Sequence, residues 1–92
     1  MIESFAHKGL KRLYQKGDAS GIGANILARI EEILTILNTA EKPEDADIPG
    51  YRLHPLTGNL KGYWSIKVTG NWRIIFRFEN GNVQDLDLVD YH

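Results

Sequence analysis

Residues 62–89 read GYWSIKVTGNWRIIFRFENGNVQDLDLV, and this run predicts most of the architecture. Apolar and polar side chains alternate over three segments, which predict β-strands at residues 62–68, 71–78 and 83–89. Turn residues separate the segments, with Thr-Gly-Asn at 69–71 and Asn-Gly at 80–81. Asn-Gly favours a type I′ hairpin because that turn needs positive φ at both central residues. The run therefore predicts an antiparallel meander with one apolar face and one polar face.

Two amphipathic helices are predicted before this meander. His7 to Lys16 has apolar residues at three-to-four spacing, and Gly17 supplies a left-handed stop. A longer helix is predicted from about Ile22 to Thr39, where the apolar residues form one stripe. Asp18 or Ser20 is the candidate cap at its start.

The remaining segments complete the predicted fold. Residues 2–5 are apolar enough for a short strand, and residues 41–50 hold two prolines and four acids, which is typical of a surface loop. The helical stripes must cover the apolar sheet face. We therefore expect a single α+β domain over residues 1–92, in which two N-terminal helices pack on one face of a small, mainly antiparallel twisted sheet.

Composition excludes several classes of protein. The hydrophobic content of 42% and the charged content of 25% are close to globular averages, which excludes wholesale disorder. The chain has no cysteine and three histidines, so we expect no disulfide, no dedicated zinc site and no metal or cofactor. No apolar run approaches the ~20 residues that a bilayer span needs, and the start has no signal-peptide pattern. We expect a cytoplasmic protein with no membrane partner.

Charge is unevenly distributed along the chain. The net charge of −1 argues at first against a nucleic-acid binder. Residues 1–30 carry +3, residues 31–50 carry −5 and residues 51–92 carry +1. Because the excess acid lies in one helix end and one loop, the rest of the surface can still favour a polyanion.

The polar face of the predicted sheet is a candidate RNA-binding surface, because both helices are needed on the other face. It carries Tyr63, Lys67, Arg73 and Arg77 beside Asp85 and Asp87. The alternative is cross-strand charge pairing, in which the two arginines bind the two aspartates, each pair worth ~0.2–1 kcal/mol.

Two histidines outside the apolar stripes are candidates for proton transfer. His54 lies in LHPL at residues 53–56, where the following proline holds its backbone extended. The chain ends with Asp90, Tyr91 and His92, just after the third predicted strand. The alternative is that this tripeptide is frayed and chemically idle.

These side chains match the self-cleavage chemistry of RNA, in which the 2′-hydroxyl attacks the adjacent phosphorus. His54, Asp90, Tyr91 and His92 offer proton-transfer groups, each typically worth ~10²–10⁴-fold in rate. Arg73 offers a planar fork that matches phosphate geometry. The chemistry requires no metal.

Several segments together carry a family resemblance that covers the whole chain. The matching residues are 2–5, 7–10, Arg52-Leu53-His54-Pro55-Leu56, Gly58, 62–66, Asn71-Trp72-Arg73-Ile74 and Asp90-Tyr91-His92. Some are ordinary core and turn residues, but the combination of the Leu-His-Pro-Leu, Asn-Trp-Arg and Asp-Tyr-His motifs is specific. With these residues the chain resembles the HigB toxins of host-inhibition toxin–antitoxin modules, within the RelE/ParE superfamily.

This resemblance implies a fold, an activity and partners. Such toxins fold as a compact sheet under two helices. They are ribosome-dependent endoribonucleases that cut mRNA in the A site of the 70S ribosome. They bind a helix-turn-helix antitoxin of the HigA type, and that complex binds operator DNA.

The resemblance also implies roles for individual site residues. By position, His54, Asp90, Tyr91 and His92 match the catalytic set, and Arg73 matches the phosphate-binding residue. His92 or Asp90 takes the acid/base role, His54 orients or stabilises the phosphate, and Tyr91 stacks on a base or donates a proton.

The chain departs from the family in two ways. Thr57 stands where similar members often have a lysine, and Lys61, four residues on, is the candidate replacement for its phosphate contact. The near-neutral charge is also unusual for a ribosome-binding toxin, and it predicts slower or more salt-sensitive association.

Strict alternation creates a geometric difficulty at the end of the chain. It would direct Asp90 and His92 toward the helices, whereas Arg73 lies on the other face. We therefore predict an irregularity that brings these groups together, either a bulge near Val89 or a chain that curls past the sheet edge.

Two other functions remain open on the same scaffold. A non-nucleolytic ParE-like toxin would inhibit gyrase, but that function leaves the two histidines and the terminal motif unexplained. An inert scaffold or antitoxin-like binding module lacks support, because the sequence has neither a helix-turn-helix nor a disordered tail.

Overall fold

The computed structural model describes residues 1–90, in which a four-stranded sheet follows two helices. The elements are α1 Lys8–Lys16, α2 Leu27–Thr39, β1 His54–Pro55, β2 Tyr63–Thr69, β3 Trp72–Glu79 and β4 Asn82–Asp90. Single 3₁₀ turns occupy Pro43–Ala46 and Gly58–Leu60. The strand order is β1-β2-β3-β4, and each neighbouring pair is antiparallel. The predicted α+β class is confirmed.

The hairpin between β3 and β4 forms as its sequence predicts. Asn80 has φ 54° and Gly81 has φ 80°, the two positive values that a type I′ turn needs. The β2–β3 connection turns at Gly70, with a register shift between Lys67 and Thr69.

One hydrophobic cluster joins the helices to a single face of the sheet. Its fully buried members include Leu10, Ile30, Ile33 and Leu37 of the helices and Ile66, Ile74, Phe76 and Leu86 of the sheet. The register places Ile66 opposite Ile74, so both project to the same side.

Neither helix within residues 1–90 has the length and apolarity that a bilayer crossing requires.

Helix α2 begins later than the sequence predicts, at Leu27 instead of about Ile22. The apolar periodicity continues through Ile22 and Ile26, which are buried, but the backbone there forms two separate turns. Glycines at 21 and 23 lower the helix propensity of this segment, which explains the difference. The predicted caps are also wrong, because no side chain caps α2 and the Asp18 carboxylate instead accepts from the amide N–H of Ser20.

Both edges of the sheet differ from expectation. Residues 2–5 form only isolated parallel bridges to β4, at Ile2–Val83 and Phe5–Leu86, and not a regular strand. The opposite edge is β1, a strand that the sequence did not predict. Strand β1 has only two residues, one of them proline, so it shows no strand pattern in the sequence. Proline is tolerated there because β1 is an edge strand.

Helix α1 has a cap at each end. The His7 Nδ1 atom accepts a hydrogen bond from the Leu10 N–H at 3.1 Å, and Gly17 ends the helix with φ 67°. His7 therefore has a structural function, as the N-cap of this helix.

We expect Gly9→Ala to lower the free energy of unfolding by about 1 kcal/mol or more. A Cβ at Gly9 would lie 2.8 Å from the carbonyl oxygen of Gly21, a backbone atom that cannot move aside alone. Overpacking of this kind costs ~1–3 kcal/mol, which exceeds the ~0.5–1 kcal/mol that alanine gains in a helix. Urea unfolding measures the change. Gly23→Ala is the control, because its Cβ would meet side-chain atoms and no backbone, Asn25 Oδ1 at 3.0 Å and Ile26 Cγ1 at 3.9 Å. Equal stabilities for the two variants would contradict the prediction.

Candidate active site on the open sheet face

The sheet face opposite the helices, called the open face here, carries three cross-strand rows. The central row comprises His54, Ser65, Ile75 and Asp87. The row toward the β2–β3 turn comprises Lys67, Arg73 and Val89. The row at the other end comprises Tyr63, Arg77 and Gln84. The four predicted polar-face residues Tyr63, Lys67, Arg73 and Arg77 therefore share this face.

Ser65 and Ile75 form the floor of the open face. They are 3% and 7% exposed and stand directly opposite each other on β2 and β3. Sequence reasoning did not identify these two as site residues. The one feature of the sequence that could have identified them is Ile75, an apolar residue at a position of the alternation that belongs to the polar face.

His54 lies exposed on the edge strand β1, directly opposite Ser65. Its Nδ1 atom is 3.0 Å from the carbonyl oxygen of Arg52. A carbonyl oxygen only accepts, so Nδ1 carries the hydrogen and donates it. The Nε2 atom is then the ring nitrogen that can exchange a proton or bind a phosphate.

Arg73 lies one row from His54 and two strands away, which separates their Cα atoms by about 12 Å. Lys67 stands directly opposite Arg73 on β2, and both are half-buried. The structure thus brings His54, Lys67 and Arg73 onto the same face of the sheet. Two adjacent cations beside an imidazole can hold a phosphodiester and transfer a proton to or from it.

Arg77 occupies the far end of the open face and is engaged by acids. Its Nε and Nη2 atoms bind the Asp85 carboxylate at 2.8 and 2.7 Å, and Nη1 lies 3.5 Å from Glu79. The hydrogen bond to Asp85 raises the pKa of the Arg77 guanidinium. For Arg77 the cross-strand pairing alternative is confirmed, and an RNA-binding role stays a prediction. Lys61, also predicted to bind RNA, is exposed in the loop before β2.

The bulge predicted near Val89 is wrong within the described residues, whereas the alternative, a chain that curls past the sheet edge, concerns residues outside them. The register runs without a break through Arg73–Val89 and Trp72–Asp90, and the irregularity lies earlier, where Asp85 has φ 53°. Asp90 is exposed at the same end of the sheet as Arg73, but its register position is on the helix-side face. The structure therefore does not place Asp90 on the open face. Tyr91 and His92 lie outside the described residues.

Comparison with known proteins identifies the family. The family model described as "RelE-like toxin of type II toxin-antitoxin system HigB" matches residues 3–92. This chain belongs to the HigB family. It is thus a RelE-like toxin of a type II toxin–antitoxin system.

Relatives agree with this assignment. The HigB-family chain is 48% identical to "Endoribonuclease HigB" of Proteus vulgaris over 92 residues, which is 100% of both chains. It is 35% identical to "Toxin HigB-1" of Vibrio cholerae serotype O1 over 83 residues, which covers 88% of this chain and 87% of that protein.

Solved structures from S. aureus and E. coli share the fold. YoeB in the YoeB–YefM complex from Staphylococcus aureus superposes with a TM-score of 0.63 at 17% identity, covering 100% of this chain and 98% of that one. YafQ from E. coli gives a TM-score of 0.60 at 16% identity, covering 95% and 89%. At these identities the similarity concerns the fold alone.

In this HigB-family toxin, a buried tyrosine anchors the segment that leads to His54. Tyr51 is 1% exposed, and its hydroxyl donates to the Glu32 carboxylate on α2. The Arg29 guanidinium lies 4.3 Å from the centre of the Tyr51 ring and donates to the carbonyl oxygen of Gly50 at 3.0 Å. Burial and the neighbouring Glu32 raise the pKa of Tyr51 to about 12. The sequence contained no spacing signal for this contact, because 19 residues separate Tyr51 from Glu32.

The raised pKa of Tyr51 predicts a loss of stability at high pH. An unfolded tyrosine ionises near pH 10, whereas folded Tyr51 keeps its proton to about 12. The contribution of Tyr51 is therefore complete below pH 10 and is lost as pH rises through 12, by roughly 2–3 kcal/mol. Urea unfolding from pH 9 to 11.5 should show a shallower decline for Tyr51→Phe than for the wild type. Tyr14→Phe, which removes a hydroxyl bonded to Asn38, should keep the wild-type slope. Identical slopes for all three proteins would refute this.

A separate cavity of about 310 Å³ lies between the two helices. Leu13 and Leu34 contribute apolar walls, and Asn38 lies at the side. None of the predicted site residues lines it, so it is not part of the candidate active site.

Proposed function

We propose that this HigB-family toxin is a ribosome-dependent endoribonuclease that cuts mRNA in the ribosomal A site through attack of the RNA 2′-hydroxyl. Endoribonuclease is the name of its Proteus vulgaris relative, which matches the full chain at 48% identity. The observation that supports the chemistry is the open face, which carries His54, Lys67 and Arg73 on three neighbouring strands. A single-stranded RNA backbone can lie along such a surface.

The reaction proceeds by proton transfer and charge stabilisation. A base takes the proton of the 2′-hydroxyl, and the oxygen then bonds to phosphorus. The bond from phosphorus to the 5′-oxygen breaks, and an acid supplies a proton to that oxygen. The products are a 2′,3′-cyclic phosphate and a 5′-hydroxyl. Negative charge that builds on the phosphorane needs cations held in place before the reaction.

The proposed roles follow from position. Arg73 holds the phosphate through its planar fork, with Lys67 as a second cation beside it. His54 presents Nε2 to the phosphate, to stabilise it or to exchange a proton. The resemblance assigns the remaining acid/base work to His92 or Asp90 and stacking or proton donation to Tyr91. Tyr63, Lys61 and Arg77 are proposed to contact the RNA outside the reacting nucleotide.

The partners follow from the type of system. A toxin of a type II system has an antitoxin, and a crystal structure shows S. aureus YoeB–YefM as a heterotetrameric toxin–antitoxin complex. We propose a helix-turn-helix antitoxin of the HigA type, operator binding only through the toxin–antitoxin complex, and a cytoplasmic location where 70S ribosomes and mRNA are available.

Translation in vitro with 5′-end mapping of the message tests this function. With ribosomes, the wild-type toxin should cut the message within codons, and His92→Ala should not. Without ribosomes, neither protein should cut. Cleavage of naked mRNA at the same sites would remove ribosome dependence. In cells, growth arrest with intact mRNA and damaged DNA would instead support a gyrase inhibitor.

A further inference from the structure

We infer that Tyr51 and Arg52 are positioning residues that fix the tautomer and orientation of the His54 imidazole. The inference rests on the proposed function in that it gives His54 a part in the reaction. It goes beyond that function by assigning a task to two residues outside the candidate active-site set. Three features of the structure lead to it, from the helix layer outward to the rim of the open face.

The first feature is the anchor on α2. Arg29 and Glu32 hold Tyr51 from two sides, by contact with its ring and by a hydrogen bond to its hydroxyl. The Tyr51 carbonyl oxygen also accepts from the Lys67 N–H at 2.7 Å, which ties the same residue to β2. Tyr51 is thus fixed to both layers of the fold three residues before His54.

The second feature is a left-handed residue directly after the anchor. Arg52 has φ 52°, a conformation that residues with a Cβ seldom adopt and that β-branched residues adopt least. Such a conformation persists only where the surrounding structure imposes it. Tyr51 on one side and the β1 pairing of His54 with Ser65 on the other impose it here.

The third feature is the hydrogen bond between the Arg52 backbone and the His54 ring. The Arg52 carbonyl oxygen lies 3.0 Å from the His54 Nδ1 atom, so it accepts the Nδ1 hydrogen. The His54 ring would otherwise rotate freely, because the residue is exposed on a two-residue edge strand. The bond to Arg52 selects the Nδ1–H tautomer and leaves Nε2 unprotonated when the ring is neutral.

His7 provides an internal comparison for this tautomer. Its Nδ1 accepts the Leu10 N–H, so a neutral His7 must carry its hydrogen on Nε2. The structure therefore assigns opposite tautomers to His7 and His54 within one chain. Nitrogen-15 NMR of the imidazole rings distinguishes the two forms directly, above the pH at which the rings are charged. His54→Gln assigns the His54 signals by their disappearance.

The matched pair Arg52→Gly and Arg52→Val tests the backbone turn. Both variants remove the same charge, but glycine adopts positive φ readily and valine does not. We expect Arg52→Gly to keep the Nδ1–H tautomer of His54 and to retain most of the wild-type cleavage rate. We expect Arg52→Val to give mixed tautomers and to cut RNA about 10- to 100-fold more slowly, the scale of a misplaced catalytic group.

The pair Tyr51→Phe and Tyr14→Phe tests the anchor. Each removes one hydroxyl hydrogen bond to α2, but only Tyr51 leads to His54. Tyr51→Phe should broaden or shift the His54 ring signals and lower kcat more than it raises KM. Tyr14→Phe should leave the signals and both constants unchanged.

The outcomes separate this inference from the proposed function. An Nε2–H tautomer for wild-type His54, or equal tautomers in Arg52→Val and Arg52→Gly, would overturn the positioning role whatever the activity. If the NMR results are as expected but His54→Gln cuts RNA at the wild-type rate, the positioning role stands and the assignment of His54 to the reaction fails.

Discussion

Replacement of His54 by glutamine is expected to slow mRNA cleavage by about 10²–10⁴-fold, because it removes a titratable group from the rim of the open face while preserving a hydrogen-bonding side chain. Glutamine can still contact a phosphate but cannot exchange a proton near neutral pH. The measurement is a single-turnover cleavage assay on programmed ribosomes, with toxin in excess so that weaker binding does not affect the rate. Toxin binding to the ribosome should change little.

His7→Asn is the matched control for His54→Gln. It also removes a histidine, but asparagine retains the ability to cap α1. It should therefore cut RNA at the wild-type rate with similar stability. A His54→Gln variant that cuts within about threefold of wild type, below the 10²-fold scale of an acid/base group, would remove His54 from the chemistry.

Arg73→Ala is expected to lower the cleavage rate by about 10²–10³-fold. Arg73 supplies a preorganised cation where negative charge develops on the phosphorane, and the loss of one such contact typically has this effect. Arg73→Lys should recover only part of the rate, because a lysine keeps the charge but lacks the planar fork. The same single-turnover assay measures both variants, with thermal unfolding to show that each is folded.

Arg77→Ala is the control for position on the sheet. Arg77 lies on the same strand and the same face, but its guanidinium is bound to Asp85 at the far end. It should weaken RNA binding modestly without a large change in the chemical step. Equal losses for Arg73→Ala and Arg77→Ala would show that the open face acts as a general charged surface and not as an active site.

The fold was largely predictable because its sheet is built from local signals. Alternation set the faces of β2, β3 and β4, and Asn80-Gly81 set the hairpin, since both features depend on neighbouring residues. The start of α2 was not predictable from apolar spacing. The buried Ile22 and Ile26 continue the apolar spacing of the helix, but they lie in separate turns before it. Strand β1 escaped prediction because two residues cannot show alternation.

The candidate site was predictable in its residue types more than in its geometry. His54 and Arg73 were recognisable from the chemistry of RNA cleavage and from the family motifs, and the open face unites them. The bulge was placed wrongly, near Val89 instead of at Asp85, because a left-handed aspartate in a strand has no distinctive pattern. The Tyr51–Glu32 contact depends on tertiary packing that no local spacing reports.

The central claim is that the RNA itself supplies the nucleophile, through its 2′-hydroxyl, at the open face of the sheet. The most direct measurement uses a message with a single 2′-deoxynucleotide on the 5′ side of the mapped cleavage position, translated in vitro with the wild-type toxin. We predict that cleavage at that position stops while cleavage at other codons continues, and that the normal products carry a 5′-hydroxyl. Undiminished cleavage next to the deoxynucleotide would show that water or another group attacks the phosphorus, which contradicts the account.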